Sequence, residues 1–164
     1  MVLMKEKTNS AMTRNELQTY LASWQSDLPF SEEGTQYLEV TVDKDVWHEF
    51  AIKLRDDEQT KFDFLFCLTA VDWPKHLSVV YHLESTFHRH ILVVKVNTAD
   101  REDVALDSVY DIWPTAELHE REAYDLMGIQ FKNHPNLKRI FLDEHWVGHP
   151  LRKDYVDEVN IVVK

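Results

Sequence analysis

Residues 62–96, FDFLFCLTAVDWPKHLSVVYHLESTFHRHILVVKV, decide the fold. The run 62–71 is dense in aromatic and β-branched residues, types that suit a pleated, half-buried surface. Across the short Trp73-Pro74-Lys75-His76 connection a second such run covers 77–83, and after residues 84–88 a third covers 90–96. Connections this short join antiparallel neighbours, because a parallel return needs a dozen or more residues. The stretch therefore predicts three adjacent strands.

Outward from it, towards the N-terminus, residues 37–42 alternate as a short strand, and Thr13 with Glu16 forms a capping box. Leu17, Tyr20, Leu21, Trp24 and Leu28 then recur at helical spacing. A second helix is expected from Asp43 or Asp45, with Val46, Trp47, Phe50, Ala51 and Leu54 as its apolar stripe. Towards the C-terminus, residues 100–113 read as a helical stretch with Val104, Val109, Tyr110 and Trp113 on a core face, broken by Pro114. Residues 117–127 hold good helix formers, and Gly128 falls where a left-handed cap would stop them. The sum is an α+β fold: a small, mainly antiparallel sheet with helices packed on one face, followed by an extended C-terminal arm. The expected boundaries are a flexible N-terminus at 1–12, an α+β domain at 13–131 and a docking arm at 132–164.

Composition excludes several functions. The protein has 164 residues, 44% hydrophobic and 29% charged, enough apolar material for one compact core. A formal net charge of -11 argues against nucleic acid as a partner, since phosphate neutralisation needs a basic face. No apolar run reaches the length of a membrane span, and residues 1–12 lack the apolar core of a signal peptide, so a cytoplasmic location is expected. A lone Cys67 agrees with a reducing compartment and supplies one of the four thiolates that an iron–sulfur cluster normally takes. With only Gly34, Gly128 and Gly148, neither a dinucleotide-binding turn nor a phosphate-binding loop is provided for. No cofactor is therefore expected on this polypeptide.

The densest chemistry lies at 119–155, HEREAYDLMGIQFKNHPNLKRIFLDEHWVGHPLRKDY. Pro135 and Pro150 fix their own φ and push His134 and His149 out of the helical region, so two rigid non-helical segments follow the helix. Residues 132–153 carry Lys132, Lys138, Arg139, Arg152 and Lys153 against Asp143 and Glu144. A basic arm on an acidic body points to docking. Phe141 and Trp146 are suitable interface anchors, or else they complete the domain's own core.

Glu120-Arg121-Glu122, Asp125, Gly128-Ile129, Phe131, His134-Pro135, Leu137, Arg139-Ile140 and Gly148-His149-Pro150-Leu151-Arg152-Lys153-Asp154-Tyr155 together resemble the signature of the 30 kDa (C) subunit of respiratory complex I, the proton-pumping NADH:quinone oxidoreductase. Asp72-Trp73, Tyr81-His82-Leu83 and Asp111-Ile112-Trp113-Pro114 also sit where that family places similar residues. Asn136, Asn133 and Val156 depart from its usual Asp, Gly and Pro, which bears on details of the arm. The resemblance implies a cofactor-free member of the peripheral arm, with FMN, iron–sulfur clusters and quinone held by partner subunits. It implies docking beside the large quinone-site (D) subunit and near the cluster-bearing B and I subunits, on the cytoplasmic face of the bacterial inner membrane. Contact with the membrane would come only through the assembly. No catalytic, cofactor-binding or metal-ligating residue is implied; the quoted signature residues other than Ile129 and Phe131, with Lys138 and Trp146, would form the subunit interface. Membrane-bound hydrogenases and F420H2 dehydrogenases carry similar subunits, so the electron donor stays open.

Two other classes stand beside this one: a free-standing acid–base enzyme using His119, Glu120, Glu122 and Asp125, and an adaptor that binds another acidic protein through the arm. Glu120 shares a helical stripe with Trp113, Ala116, Ala123, Tyr124 and Met127, so a buried carboxylate is expected, paired with Arg139 or Arg152 of the returning arm. Arg121 has Glu117 four residues before it and Asp125 four after. His88 and His90 read as a surface pair, and His134 and His149 as anchors either to a partner or to the protein's own domain.

Overall fold

The computed structural model describes residues 11–31 and 34–157; most of the expected flexible segment 1–12 lies outside them. The elements run α1 (Arg14–Ala22), β1 (Leu38–Val42), α2 (Trp47–Asp56), β2 (Phe64–Asp72), β3 (Leu77–Glu84), β4 (Ile91–Asn97), β5 (Ala105–Asp107), α3 (Ala116–Met127) and β6 (Gln130–Lys132). The three strands expected from residues 62–96 form an antiparallel meander, and β1 joins β4 in parallel to give the order β1-β4-β3-β2. The fold is α+β.

Period-two register sorts the sheet into two faces. Leu65, Leu68, Leu77, Val79, Tyr81, Leu83, Leu92, Val94, Val96, Leu38, Val40 and Val42 point to one side and join a single core with residues of all three helices. The opposite face carries Phe64, Cys67, His82 and Lys95. A bulge between Leu65 and Cys67 resets the alternation and leaves Phe66 exposed.

The helices start and stop for local reasons. At α1 the Thr13 hydroxyl accepts the Glu16 amide and the Glu16 carboxylate returns to the Thr13 amide, the reciprocal box read from sequence. The helix ends at Ala22, short of the full predicted stripe; Trp24 still packs edge-on against Tyr20 and Phe50. Before α2, neither Asp43 nor Asp45 caps: the Asp43 carboxylate accepts the Asp45 amide in a turn, and Val46 precedes the first helical residue. Gly128 closes α3 in the left-handed conformation, φ 81°.

Residues 100–113 do not form the expected helix. Ala105–Asp107 is strand β5, paired in parallel with β6, and turns follow it. The bonds that hold this segment extended come from residues about 25 positions later, Gln130 N–H to Val104 C=O and Ser108 N–H to Lys132 C=O. Local periodicity carries no trace of such a partner. Trp113, buried against Trp47, donates its indole N–H to the Phe62 carbonyl at 2.8 Å and ties this segment to the start of β2. Replacing Trp113 by Phe keeps an aromatic ring but strands the Phe62 carbonyl; unfolding in urea should show a loss of about 1–3 kcal/mol.

Candidate functional site

The segment 133–157 contains no helix or strand and folds back across α3. The last carbonyls of α3 explain its path, because a helix end leaves them without intrahelical partners. The Tyr124 carbonyl accepts Gly128 N–H, the Asp125 carbonyl accepts Arg139 Nη1 at 2.9 Å and His149 Nδ1 at 3.0 Å, and the Leu126 carbonyl accepts Leu151 N–H at 3.1 Å. Two arm side chains and one arm amide thus finish the helix. Because it faces a carbonyl, His149 Nδ1 carries the proton. The His149 ring lies where a Gly128 side chain would stand, 2.6 Å from an ideal Cβ, so Gly128 is needed for close approach as well as for its φ.

Asp125 holds the arm. Its side chain has no exposed surface; one oxygen pairs with Arg139 at 2.7 Å and the other accepts the amides of Ile140, Phe141 and Leu142 at 2.8–3.0 Å. Arg139 also donates to the Trp146 and Gly148 carbonyls, gathering both halves of the arm around one guanidinium. Burial pushes this carboxyl up, but the three amides and Arg139 outweigh it and hold it below the usual carboxylate range.

A second carboxylate latches the arm's far end. Asp72, buried at the end of β2, pairs with Arg101 and accepts Lys153 N–H at 2.7 Å. Arg101 continues to Asp154, which also receives Arg152. Arg101 lowers the Asp72 carboxyl, and Arg152 with Arg101 brings that of Asp154 well below the usual range.

Glu120 is fully buried, as its stripe predicts, but the expected pairing with Arg139 or Arg152 is not made. Ser108 Oγ donates to it at 2.6 Å and Val109 N–H at 2.9 Å, so it fastens α3 to the turn after β5. His134 Nε2 lies 3.9 Å away. The arginine goes to Asp125 because Asp125 faces the arm, one helical turn further on. Burial, with repulsion from Asp111, raises the Glu120 carboxyl to about 7 despite its two hydrogen bonds.

His134 and His149 both anchor the arm to the protein's own domain. The His134 ring accepts Asn136 N–H at Nδ1 and donates from Nε2 to the Glu117 carbonyl at 3.1 Å. Arg121 takes Glu117 at 3.2 Å and the carbonyls of Lys138 and Arg139; it does not reach Asp125. His88 and His90 stack with ring centroids 5.4 Å apart, and His90 is buried with Nε2 on the Thr60 carbonyl, so they are no simple surface pair. Asp72 stood in the quoted signature without a role, and Arg101 and Ser108 carried no sequence signal because their partners lie far along the polypeptide.

What faces outward differs from the basic arm read in sequence. Arg139 and Arg152 are paired internally with Asp125 and Asp154, which leaves the exposed Lys132, Lys138 and Lys153 against Asp143 and Glu144. The exposed large side chains here are apolar: Phe141 64%, Trp146 40%, Val147 86% and Leu151 58%, beside Leu118 of α3. Neither aromatic completes the core. His119 and Glu122 line an open cleft of about 40 Å³ between α3 and β2, whereas Glu120 and Asp125 do not reach it. An acid–base site needs its perturbed carboxyl at the cleft, and here the two are separate.

Residues 40–159 match the family model described as respiratory-chain NADH dehydrogenase, 30 Kd subunit. The NADH-quinone oxidoreductase C subunit of Chlorobium phaeobacteroides is 43% identical over 128 residues, covering 76% of this chain and 76% of the relative. The C subunit of Chloroherpeton thalassium is 47% identical over 70% of this chain and 49% of its own length. The C/D subunit of Phocaeicola vulgatus is 50% identical over 69% of this chain and 22% of its own length, so the protein spans half or less of these two relatives. Among solved structures, a trypsin-resistant fragment of Nqo5 is similar with a TM-score of 0.64 and 28% identity, over 76% of this chain and 100% of that one. A polypeptide of the membrane-bound sulfane sulfur reductase, an archaeal respiratory membrane complex, gives a TM-score of 0.74 and 25% identity, over 88% and 86%.

The two buried acids titrate in opposite directions. Glu120, raised from 4.5 to about 7, favours the folded state while protonated, and that contribution is lost as pH rises between those values. Glu120→Gln should remove up to roughly 1.4 kcal/mol per pH unit of slope in this window, seen as the wild-type minus variant difference in unfolding free energy. Asp125 is lowered from 3.8, so its contribution is present above that value and lost as pH falls below it. In Asp125→Asn one carbonyl oxygen replaces two carboxylate oxygens, at a cost of about 3–5 kcal/mol for breaking a buried pair. Limited trypsin digestion of this variant should cut first after Lys138, Arg139, Arg152 or Lys153 and leave a resistant domain; digestion with no such intermediate would show that the arm and domain open as one.

Proposed function

The chain belongs to the 30 kDa subunit family of respiratory-chain NADH dehydrogenases, and from that premise we propose that it is a cofactor-free structural subunit of a quinone oxidoreductase, docked through α3 and the arm. The observation that carries the reading is the outward face of the arm. A fold that uses Asp125, Asp72, Arg139 and Arg152 to fix this segment still leaves Phe141, Trp146, Val147 and Leu151 in water. Several exposed apolar side chains in one short segment, two of them aromatic, mark a surface built to be covered.

In this reading the first partner is the large quinone-site (D) subunit. The C/D relatives support that choice, since names of that form describe the two subunits as one polypeptide. The cluster-bearing B and I subunits are neighbours, electrons pass from NADH through flavin and iron–sulfur clusters of partner subunits to quinone, and this chain supplies no catalytic residue. Among the described residues no helix is long and apolar enough to cross a membrane, which fits peripheral attachment at the cytoplasmic face through the assembly.

The archaeal neighbour favours a second reading. A similar fold serves in a sulfane sulfur reductase, so the same architecture would suit a host complex with another electron donor, such as a membrane-bound hydrogenase or F420H2 dehydrogenase. The test is to tag the protein in its native host, solubilise the membranes gently and analyse what co-purifies. NADH:quinone reductase activity with flavin and iron–sulfur spectra is the expected result. A different donor activity would reassign the host complex, and recovery of the tagged protein alone would overturn the subunit reading. Phe141→Ser with Trp146→Ser should reduce partner recovery about tenfold or more while leaving the isolated domain folded.

A further inference from the structure

Three carboxylates lie in the signature at 120–125, and the fold uses two. Glu120 is held by Ser108 and Val109, and Asp125 by Arg139 and the arm amides. The Glu122 side chain is exposed and, among the described residues, makes no hydrogen bond or ion pair. Its neighbour Arg121 is engaged with Glu117. A carboxylate that the domain does not need is set at a specific place.

That place is the cleft between α3 and the edge strand β2. His119, Glu122 and Leu126 fall three and four residues apart, so they share one side of the helix and line the opening. Leu68 and Met127 form an apolar floor, and Leu151 of the arm adds a wall. Leu151, 58% exposed, both walls the cleft and belongs to the apolar face to which the partner is assigned above. Covering this face removes Glu122 from water. A carboxylate buried without a partner costs several kcal/mol, so whatever covers it must bring a donor, and a cation is the strongest because it also offsets the charge. The shape fits that demand, because a lysine or arginine can lay its alkyl stem on apolar surface and keep its charged head at a carboxylate.

We propose that the α3–β2 cleft receives one lysine or arginine side chain of a neighbouring subunit, stem on Leu68 and Met127 and head paired with Glu122. The inference rests on the subunit reading and adds to it the residue that fixes register. The protein's excess negative charge works in the same direction, favouring a cationic over an anionic visitor.

The test uses the tagged full-length protein in its host, with Glu122→Gln, Glu122→Lys and, as a charge-matched control on α2, Glu49→Lys. Partner recovered per tagged molecule is quantified by mass spectrometry at about 0.05 and 0.5 M salt. Thermal unfolding of each isolated variant is expected within about 3 °C of wild type, as for an exposed position. Glu122→Gln should lower recovery about tenfold at the lower salt and by less at the higher, where the wild-type pair is itself screened, Glu122→Lys should abolish it, and Glu49→Lys should match wild type. Wild-type recovery by Glu122→Lys would overturn this assignment and leave the subunit reading standing. Failure of the wild-type protein to recover any partner would overturn both.

Discussion

An acid near the C-terminus of a helix opposes the helix dipole, and Asp125 is moreover buried. Only a dense set of donors makes that position tolerable, and the neighbouring residues of the helix supply none of them. They come from residues 139–142, so the folded state of α3 and the path of the arm are one problem. Arg139 offsets the carboxylate's charge and at the same time takes an orphan helix carbonyl, while three consecutive amides are fixed in the only orientation that serves the other oxygen. The remainder of the arm follows. Arg139 gathers the Trp146 and Gly148 carbonyls, His149 settles over Gly128, and Leu151 caps the helix.

This arrangement changes what the signature residues mean. Read in sequence, acids, arginines and His-Pro steps look like chemistry or like a basic docking arm. In the folded protein Asp125 with Arg139, Asp72 with Arg101, and Arg152 with Asp154 neutralise one another, and the two histidines carry fixed hydrogen bonds to backbone carbonyls. Charge is used to build a rigid platform from a segment that has no secondary structure of its own. The platform then presents apolar side chains, for which association is not weakened by salt in the way that a basic arm's would be.

The legible and illegible parts of the fold divide by the range of the interactions. The capping box at Thr13, the glycine stop at Gly128 and the strands of 62–96 declare themselves because each is fixed within a few residues. The burial of Glu120 was also legible, since helical periodicity places it among Ala116, Ala123 and Met127. Its partners were not: Ser108 and Val109 precede it in a segment whose own conformation is set by β6, and 100–113 consequently looked helical. The choice between Glu120 and Asp125 as partner of the arm depends on which side of α3 the polypeptide returns along. Spacing within the helix fixes their relative angle but not that side.

The raised carboxyl of Glu120 and the cleft lined by Glu122 lie apart. General acid–base work needs a group that exchanges protons with a bound substrate, which means access as well as a shifted affinity. Glu120 has the shift and no access; burial produces both, and its two donors come from its own domain. At the cleft the carboxylate of Glu122 has access, and its surroundings are His119 and walls that are largely apolar. What such a geometry does well is recognition: water leaves the walls when they are covered, and the charge demands a specific opposite. Net negative charge disfavours approach of identical copies, and apolar side chains left in water gain most from a complementary surface that replaces solvent.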